Sequence, residues 1–512
     1  MSPRPADSPT GLSLIFKMTS ISQIFGVIAV FLVVRFIVRA IYRVYFHPLS
    51  KFPGPKLYAA TRLPFLYVSA IGRRNNTLHV LHEKYGRIVR VQHDELSFAD
   101  PDAWKDIYGH GTKGTTGAPP PKAWDRYGVP PNNVHGLITA PDGDHARTRK
   151  IFTPAFSDRA LKQQEPLFFK YMDQLVSLLR KNINEDPKTK FDMVRMYNFA
   201  TFDVMGDWAF GESLHMLDNA EYDPWVKTIF TSIKMGYRLQ LLILYPFIWR
   251  LWKTFMPESI NQKRLRHHQH SVTRVTKRME RGRENDGVDL WNLVLGQKEG
   301  RGLSREEMDS NASLFMVAGT ETTASLVSGL TFLLLTNPDC MKKVCDEVRG
   351  KFVTEADMNM EEIAAMPYLS ACIKEALRLY PPVAIGLYRL TPKIGSTING
   401  TFVPPGTNVS MAQHSMYCSP QYFKRPTEFL PQRWLGDPEF EEDKRHCVQP
   451  FSVGPRDCIG KNMAYHEMRL LMAKVLYNFD MELCPESNNW LDQDTYVIWQ
   501  KKPLICQLKS VK

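Results

Sequence analysis

The sequence predicts a mainly α protein with a small β domain, preceded by one N-terminal transmembrane helix. Three observations carry that reading. Residues 18–34 hold no charged residue, and Ile24–Val34 is apolar throughout apart from Gly26. Helical patterns dominate from about Asp142 onward, including the long apolar run Asn311–Leu335. Strand-like segments are short: Arg87–Val91, Glu95–Ala99, Ile394–Val409 and a stretch near the C-terminus.

Residues 1–45 read as a tail and an anchor helix. Seventeen uncharged residues are at the short end of a bilayer span. Arg35 and Arg39 can snorkel to the headgroups, so that Phe36–Val38 and Ala40–Tyr42 lengthen it. The charges follow the apolar run and no small-residue cleavage site appears, which disfavours a cleaved signal peptide. Arg35, Arg39, Arg43 and Lys51 after the run, against Arg4 and Lys17 before it, place the bulk of the chain in the cytosol. Met18 stands as an alternative start.

Residues 46–56 form a proline-rich hinge, in which Pro48, Pro53 and Pro55 fix φ and deny helix. Residues 57–512 read as one domain. Within it Lys113–Pro141 is rich in Gly and Pro, and irregular stretches of that length tend to carry function.

At 512 residues, 44% apolar and 23% charged, the chain can bury a large core, and wholesale disorder and fibrous repeats are excluded. The net charge of +12 is local. Residues 1–51 hold six Lys/Arg against Asp7 alone, and residues 250–284 hold ten against three acids. Basic charge beside an apolar anchor answers an anionic membrane or an acidic partner rather than nucleic acid. All eight cysteines lie at position 340 or later, without zinc spacing, so neither a disulfide framework nor a zinc module is indicated.

Four motifs carry chemistry. Phe451-Ser-Val-Gly454-Pro-Arg456-Asp-Cys458-Ile-Gly460 sets a cysteine between two glycines, just before the helix-like run Lys461–Leu476. A helix N-terminus and Arg456 both favour thiolate over thiol, and a thiolate suits a transition metal; the bland alternative is an inert Cys in a turn. Glu375-Ala-Leu-Arg378 puts acid and base on one helix face, alone no more than a weak surface pair. Ala318-Gly319-Thr320-Glu321-Thr322-Thr323 interrupts an apolar helix with an acid and three hydroxyls. Either the hydroxyls bond back to carbonyls four residues earlier, or the group moves protons. His145 and Arg149, at i and i+4, share a helix face, and the bland reading of Arg149, Arg389 or Arg456 taken singly is a solvated surface arginine.

In this register, Phe-x-x-Gly-x-Arg-x-Cys-x-Gly resembles the haem-binding loop of the cytochrome P450 family, in which a cysteine thiolate holds the iron. The resemblance covers about residues 50–505 and is nearest to microsomal fungal members, including those that oxidise terpenoid and polyketide skeletons. It implies haem b on the thiolate of Cys458, with Phe451, Gly454 and Gly460 shaping the loop. Arg456, His145, Arg149 and Arg389 would meet the propionates, His145 standing where the family has Trp. Glu375, Arg378 and Arg433 (in Pro426-x-x-Phe429-x-Pro431-x-Arg433-Trp434) would form a buried structural triad. Gly319 would open the helix over the haem, and Glu321 and Thr322 would manage the protons that dioxygen reduction consumes.

The implied reaction is monooxygenation of a lipophilic small molecule. Electrons come from NADPH through a flavoprotein reductase, at the endoplasmic reticulum membrane with the catalytic domain cytosolic. The substrate cavity would draw on Lys113–Ala140, Phe315, Ala318 and Gly319, Val383 and Ile385, and Trp499. Tyr237–Phe255 reads either as a membrane-dipping patch or as a buried helix, and the basic stretch after it could meet an acidic reductase surface. A haem-thiolate isomerase or dehydratase without a reductase, or a haem binder without turnover, could dispense with Glu321 and Thr322, so their presence argues against both.

Overall fold

Ser304 opens the longest helix of the globular part. Its hydroxyl accepts from Glu307 N at 3.2 Å while Glu307 Oε2 accepts from Ser304 N at 2.8 Å, a reciprocal cap that fixes where Arg305–Leu335 begins. From Thr323 to Leu334 every residue of this helix is buried. It packs against Met193–Phe210, Glu258–Glu280, Pro367–Leu379 and Lys461–Asn478, burying apolar surface on all sides as a core helix must. The molecule, a computed structural model, is described over residues 11–110, 119–127, 132–256, 258–282, 289–295 and 302–511. The first ten residues of the predicted tail, parts of the Gly/Pro-rich stretch and residues 257, 283 and 284 of the basic stretch lie outside the described residues.

The described strands are β1 Ile88–Gln92, β2 Glu95–Phe98, β3 Lys190–Asp192, β4 Arg389–Leu390, β5 Ser396–Ile398, β6 Thr401–Val403, β7 Asn408–Met411, β8 Phe479–Leu483, β9 Thr495–Tyr496, β10 Ile498–Trp499 and β11 Ile505–Ser510. One sheet runs β1-β2-β7-β4, antiparallel except for β2 against β7, where Glu95 faces Asn408. A second runs β3-β11-β8, and β5-β6 and β9-β10 are separate pairs. The predicted strand region Ile394–Val409 is thus three short strands split by turns at Gly400 and Gly406, both at positive φ. β3 has no alternation long enough to read from sequence.

The N-terminal helix Gly11–Ile41 continues as a π-helical turn to Phe46, and Gln23–Phe46 is long and apolar enough to cross a membrane. The helix runs past Arg35 and Arg39, as the lengthened span required. The hinge is not a free linker. Leu49 and Phe52 are buried among Phe65, Val89 and Val91, and Arg90 N donates to Pro53 O at 2.7 Å, so the segment is pinned to the first sheet. A Cβ on Gly54 would stand 2.3 Å from Arg90 O, which makes glycine the residue that allows this approach.

Candidate active site

The Phe451–Gly460 loop lies between the first sheet and the helix Lys461–Asn478. Gly454 takes φ +81°, and a Cβ there would meet Tyr108 O at 2.1 Å, so the loop seats against the Ala103–Tyr108 helix only with glycine. Cys458 N donates to Phe451 O at 2.9 Å and Asp457 N to Gly454 O at 3.1 Å, which closes the loop with the cysteine at its end. Gly460 caps the following helix, with Ala464 N donating to its carbonyl at 2.8 Å.

Cys458 lines a cavity of about 480 Å³. Its accessible surface is cavity wall, so it is open to the cavity yet surrounded by protein. Burial pushes its thiol up from the ordinary value, against the Gly460 amide, Arg149 and Lys461, which pull it down. A cation bound at the sulfur would favour the thiolate.

The other walls are largely apolar. Leu314, Phe315, Ala318 and Gly319 come from the Arg305–Leu335 helix, Val383, Ile385 and Leu387 from the turn before β4, and Val497 from the β9–β10 hairpin. Trp499, expected here, is not among the lining residues. The chain reverses at Val497 (φ +84°), and Trp499 stacks on Tyr380 at 4.9 Å while its Nε1 donates to Pro381 O at 2.8 Å. Gly319 does not break its helix; a Cβ there would crowd the Met205 side chain at 2.6 Å.

Cations crowd one end. Arg149 donates to Asp457 O at 2.7 Å and Oδ1 at 2.5 Å, and Arg456 to Asp142 Oδ1 and Ala140 O, both at 2.7 Å. Lys122 and Arg389 line the same wall, are 6% and 4% exposed, and have no carboxylate partner within ion-pair distance among the described residues. Burial, then Arg389 and Arg456, push the Lys122 ammonium down to about 6. Buried Arg389 and Lys122, neither with a carboxylate partner, face a cavity with a cysteine in its wall, an arrangement that a dianionic cofactor such as haem with its two propionates would complete, restoring the Lys122 charge. Lys122 escaped the sequence reading because no periodicity marks it. His145 joins this wall as a neutral ring, its pKa lowered to about 4 by burial, then by Arg456 and Arg149.

Of the suspected proton carriers, Thr322 reaches the cavity and Glu321 does not. The hydroxyls of Thr320, Thr322 and Thr323 all bond back to carbonyls four residues earlier, at 2.6, 2.6 and 3.1 Å. Glu321 instead pairs with Lys501. Besides Asp457, which Arg149 holds, the cavity is lined by the acid Glu467, 1% exposed, its carboxyl pushed up to about 8 by burial although the Thr323 hydroxyl pulls it down. A carboxyl four residues after Met463 and four before Leu471, on the apolar face of the helix, was the signal that could have found it.

Away from the cavity, the structure brings Glu375, Arg378 and Arg433 together without exposed surface. Arg378 grips Glu375 with two bonds of 2.9 and 2.7 Å, and Trp434 Nε1 donates to Glu375 Oε2 at 2.9 Å. Burial opposes the charge of Glu375, but Arg378 and Arg433 outweigh it and hold the carboxyl below its ordinary value.

The family model described as Cytochrome P450 matches residues 55–508. The protein named cytochrome P450 monooxygenase efuB, from Hormonema carpetanum, is 45% identical over 94% of this chain and 96% of its own length. Cytochrome P450 monooxygenase FUM2 from Gibberella moniliformis is 45% identical over 92% and 100%, and rdc4 from Metacordyceps chlamydosporia 43% over 92% and 96%. A cysteine loop facing a cavity with surplus cations, on this fold and with these relatives, leaves one conclusion: the chain belongs to the cytochrome P450 family and is an oxygenase-type oxidoreductase.

Proposed function

We propose that this enzyme is a microsomal fungal monooxygenase that inserts one oxygen atom of O2 into a lipophilic small molecule of secondary metabolism, a terpenoid or polyketide skeleton. NADPH supplies the electrons through a flavoprotein reductase. The observation that carries the reading is Cys458 in the wall of a largely apolar cavity that Lys122, Arg149, Arg389 and Arg456 also line. Cys458 would hold the haem iron, and Lys122, His145, Arg149, Arg389 and Arg456 its propionates. Haem so held supplies the dioxygen-activating chemistry. The protein's share is to orient and to keep dry. Leu314, Phe315, Ala318, Val383, Ile385 and Val497 exclude water and favour an apolar substrate. Thr322, whose hydroxyl already donates to Ala318 O, keeps lone pairs to accept a proton at the cavity wall.

The membrane would supply substrate as well as anchorage. No described residue of the helix Pro246–Phe255 is buried, and Phe247, Ile248, Leu251 and Phe255 are exposed. Leu57, Leu63 and Tyr67, just after the anchor, are exposed too, and Arg62 reaches Leu244 O at 3.4 Å. This apolar face suits the cytosolic leaflet of the endoplasmic reticulum. Part of the basic stretch is neutralised within the chain: Arg278 pairs with Asp289 at 2.8 Å, and Arg274, Lys277 and Arg281 gather round Glu212. The remainder is left for an acidic reductase surface.

The test is the carbon monoxide difference spectrum of the dithionite-reduced protein beside Cys458→Ala. The expected result is a strongly red-shifted Soret band, lost in the variant. A histidine-type band in folded protein would overturn the reading.

A further inference from the structure

The cavity has a second polar corner, set apart from the cations near Cys458. Arg126 ends the short turn Trp124–Arg126, and Tyr237 and Gln240 lie a turn apart on the helix Pro224–Ile243; all three line the cavity, as does Tyr388. Tyr388 and Arg389, successive residues, point opposite ways. The Arg389 guanidinium lies 4.9 Å over the ring of Tyr108, against which the cysteine loop seats. The Tyr388 hydroxyl instead takes a bond from Arg74, and Arg126 lies 5.2 Å over the Tyr388 ring. The charges acting on Lys122 are Arg389, Arg456 and Asp142, and Arg126 is not among them. Tyr237 packs with Ile385 and Val497, both of the cavity wall.

Positive charge is in surplus at this corner. Arg126 and Arg74, 4% and 1% exposed, share the carboxylate of Glu95 at 3.4 and 3.7 Å. Burial pushes that carboxyl up, although both guanidiniums pull it down. Asp94 is taken by Arg62, and buried Arg90 donates to His93 O at 2.8 Å with no carboxylate within ion-pair distance among the described residues. Four arginines thus answer two acids. The Tyr237 hydroxyl is buried too. Arg74 is close enough to interact with it, yet no hydrogen bond of ordinary geometry satisfies it among the described residues. An unmet buried hydroxyl beside surplus guanidinium charge favours an anionic acceptor.

We propose that Arg126, Tyr237 and Gln240 form a carboxylate-binding subsite, so that the substrate is a lipophilic acid, held here by its carboxylate while its apolar body lies against Leu314, Phe315 and Ala318. This rests on the reading of the cavity as the pocket of a monooxygenase. Arg126 supplies charge, Tyr237 an O–H and Gln240 an N–H, donors brought together from two separate elements. A neutral ester of the same skeleton leaves the surplus charge unanswered, so the corner selects the acid by what it denies the ester.

The test uses the full haem-loaded chain in detergent and ω-(imidazol-1-yl)alkanoic acids of graded chain length, each beside its methyl ester. The imidazole anchors the probe at the iron and shifts the Soret band, so binding is read without turnover, and the chain carries the head group across the cavity. At the best length, wild type should bind the acid about tenfold or more tightly than the ester. Arg126→Gln should bring that ratio close to parity, with the affinity for 1-phenylimidazole, which has no head group, as the measure of an intact iron site. Parity at every length in wild type, or a wild-type ratio kept in Arg126→Gln, would overturn the subsite. Should Arg126→Gln lose haem or 1-phenylimidazole binding, the Tyr237→Phe/Gln240→Leu double variant decides: a several-fold fall in the ratio supports the subsite, and an unchanged ratio overturns it. The carbon monoxide spectrum keeps the two readings apart. A wild type with the red-shifted band but no acid preference loses only the subsite, whereas a histidine-type band removes the monooxygenase reading beneath it.

Discussion

Glu375 Oε1 and Arg433 Nε lie 3.2 Å apart in side chains with no exposed surface, although 58 residues separate them in the chain. The pair ties the helix Pro367–Leu379 to the irregular segment that leads to the cysteine loop. Arg433 also donates to Lys424 O at 2.8 Å and pairs with Asp443, and Arg378 donates to Tyr417 O at 2.7 Å and Pro426 O at 2.5 Å. Each guanidinium thus has its donors met by carboxylates and carbonyls, the condition under which burying charge is tolerable.

Removing the carboxylate charge leaves two buried guanidiniums under-compensated. Glu375→Gln should cost about 3–5 kcal/mol. Arg433→Lys should cost a similar amount, because an ammonium cannot span the acceptors of a planar fork. Urea unfolding of the haem-loaded protein checks both. A loss below about 1 kcal/mol, the scale of a surface pair, would mean that the triad does not hold this segment.

Glu467 makes a prediction of opposite sign. Burial raises its carboxyl to about 8, so the native state keeps a proton that an unfolded Glu, titrating near about 4.3, has released. The stability this contributes is complete below about 4.3 and is lost as pH rises through about 8. Glu467→Gln has no proton to lose. Its melting temperature should gain on wild type as pH is raised from 6 to 9, with the gain levelling off above about 8. Parallel curves for the two proteins across that range would refute a neutral Glu467.

How far the site was legible follows from where each residue's partners sit. Cys458, Arg456 and Gly454 are arranged by their own loop, so a contiguous motif displays them. Glu375 and Arg378 are one helix turn apart and needed only Arg433 from a second motif. Lys122, Lys501 and the inward turn of Val497 depend on strands meeting from distant parts of the chain, which no local pattern records. The resemblance put Trp499 in the cavity wall, but the chain reverses at Val497, so that Val497 lines the cavity and Trp499 stacks on Tyr380. The prolines that stiffen the hinge were visible in the sequence, and the burial of Leu49 and Phe52 was not.

His82 sets an acid limit. Gly86 O can only accept, so Nδ1 at 2.8 Å carries the hydrogen, and Nε2 accepts from Ser97 Oγ at 2.9 Å. Burial lowers its pKa to about 4, against about 6.5 when unfolded. The neutral ring contributes stability that is present above about 6.5 and is lost as pH falls towards 4, at up to about 1.4 kcal/mol per unit. His93, His145 and His414 are also lowered to about 4, so their slopes add. His82→Gln should shallow the acid-side fall in melting temperature between pH 6.5 and 4.5 without abolishing it. An unchanged slope would place the proton-sensitive groups elsewhere.

The two glycines of the cysteine loop should respond differently to alanine. At Gly454 the φ of +81° is strained for any side chain, and the added Cβ would stand 2.1 Å from Tyr108 O and 2.8 Å from Gly109 Cα, backbone atoms with no room to move aside. The loop must lift, and with it the bonds that place Cys458. Gly454→Ala should therefore lose haem while the helical content measured by circular dichroism stays near wild type, since the main core lies outside this loop. At Gly460 the φ is −89° and a Cβ would meet only Phe156 at 3.5 Å, an ordinary contact. Gly460→Ala should then fold and melt like wild type as apoprotein, and any haem it loses reports a collision with the cofactor itself. Full haem occupancy in Gly454→Ala would show that the loop can hold its cysteine without seating on Tyr108.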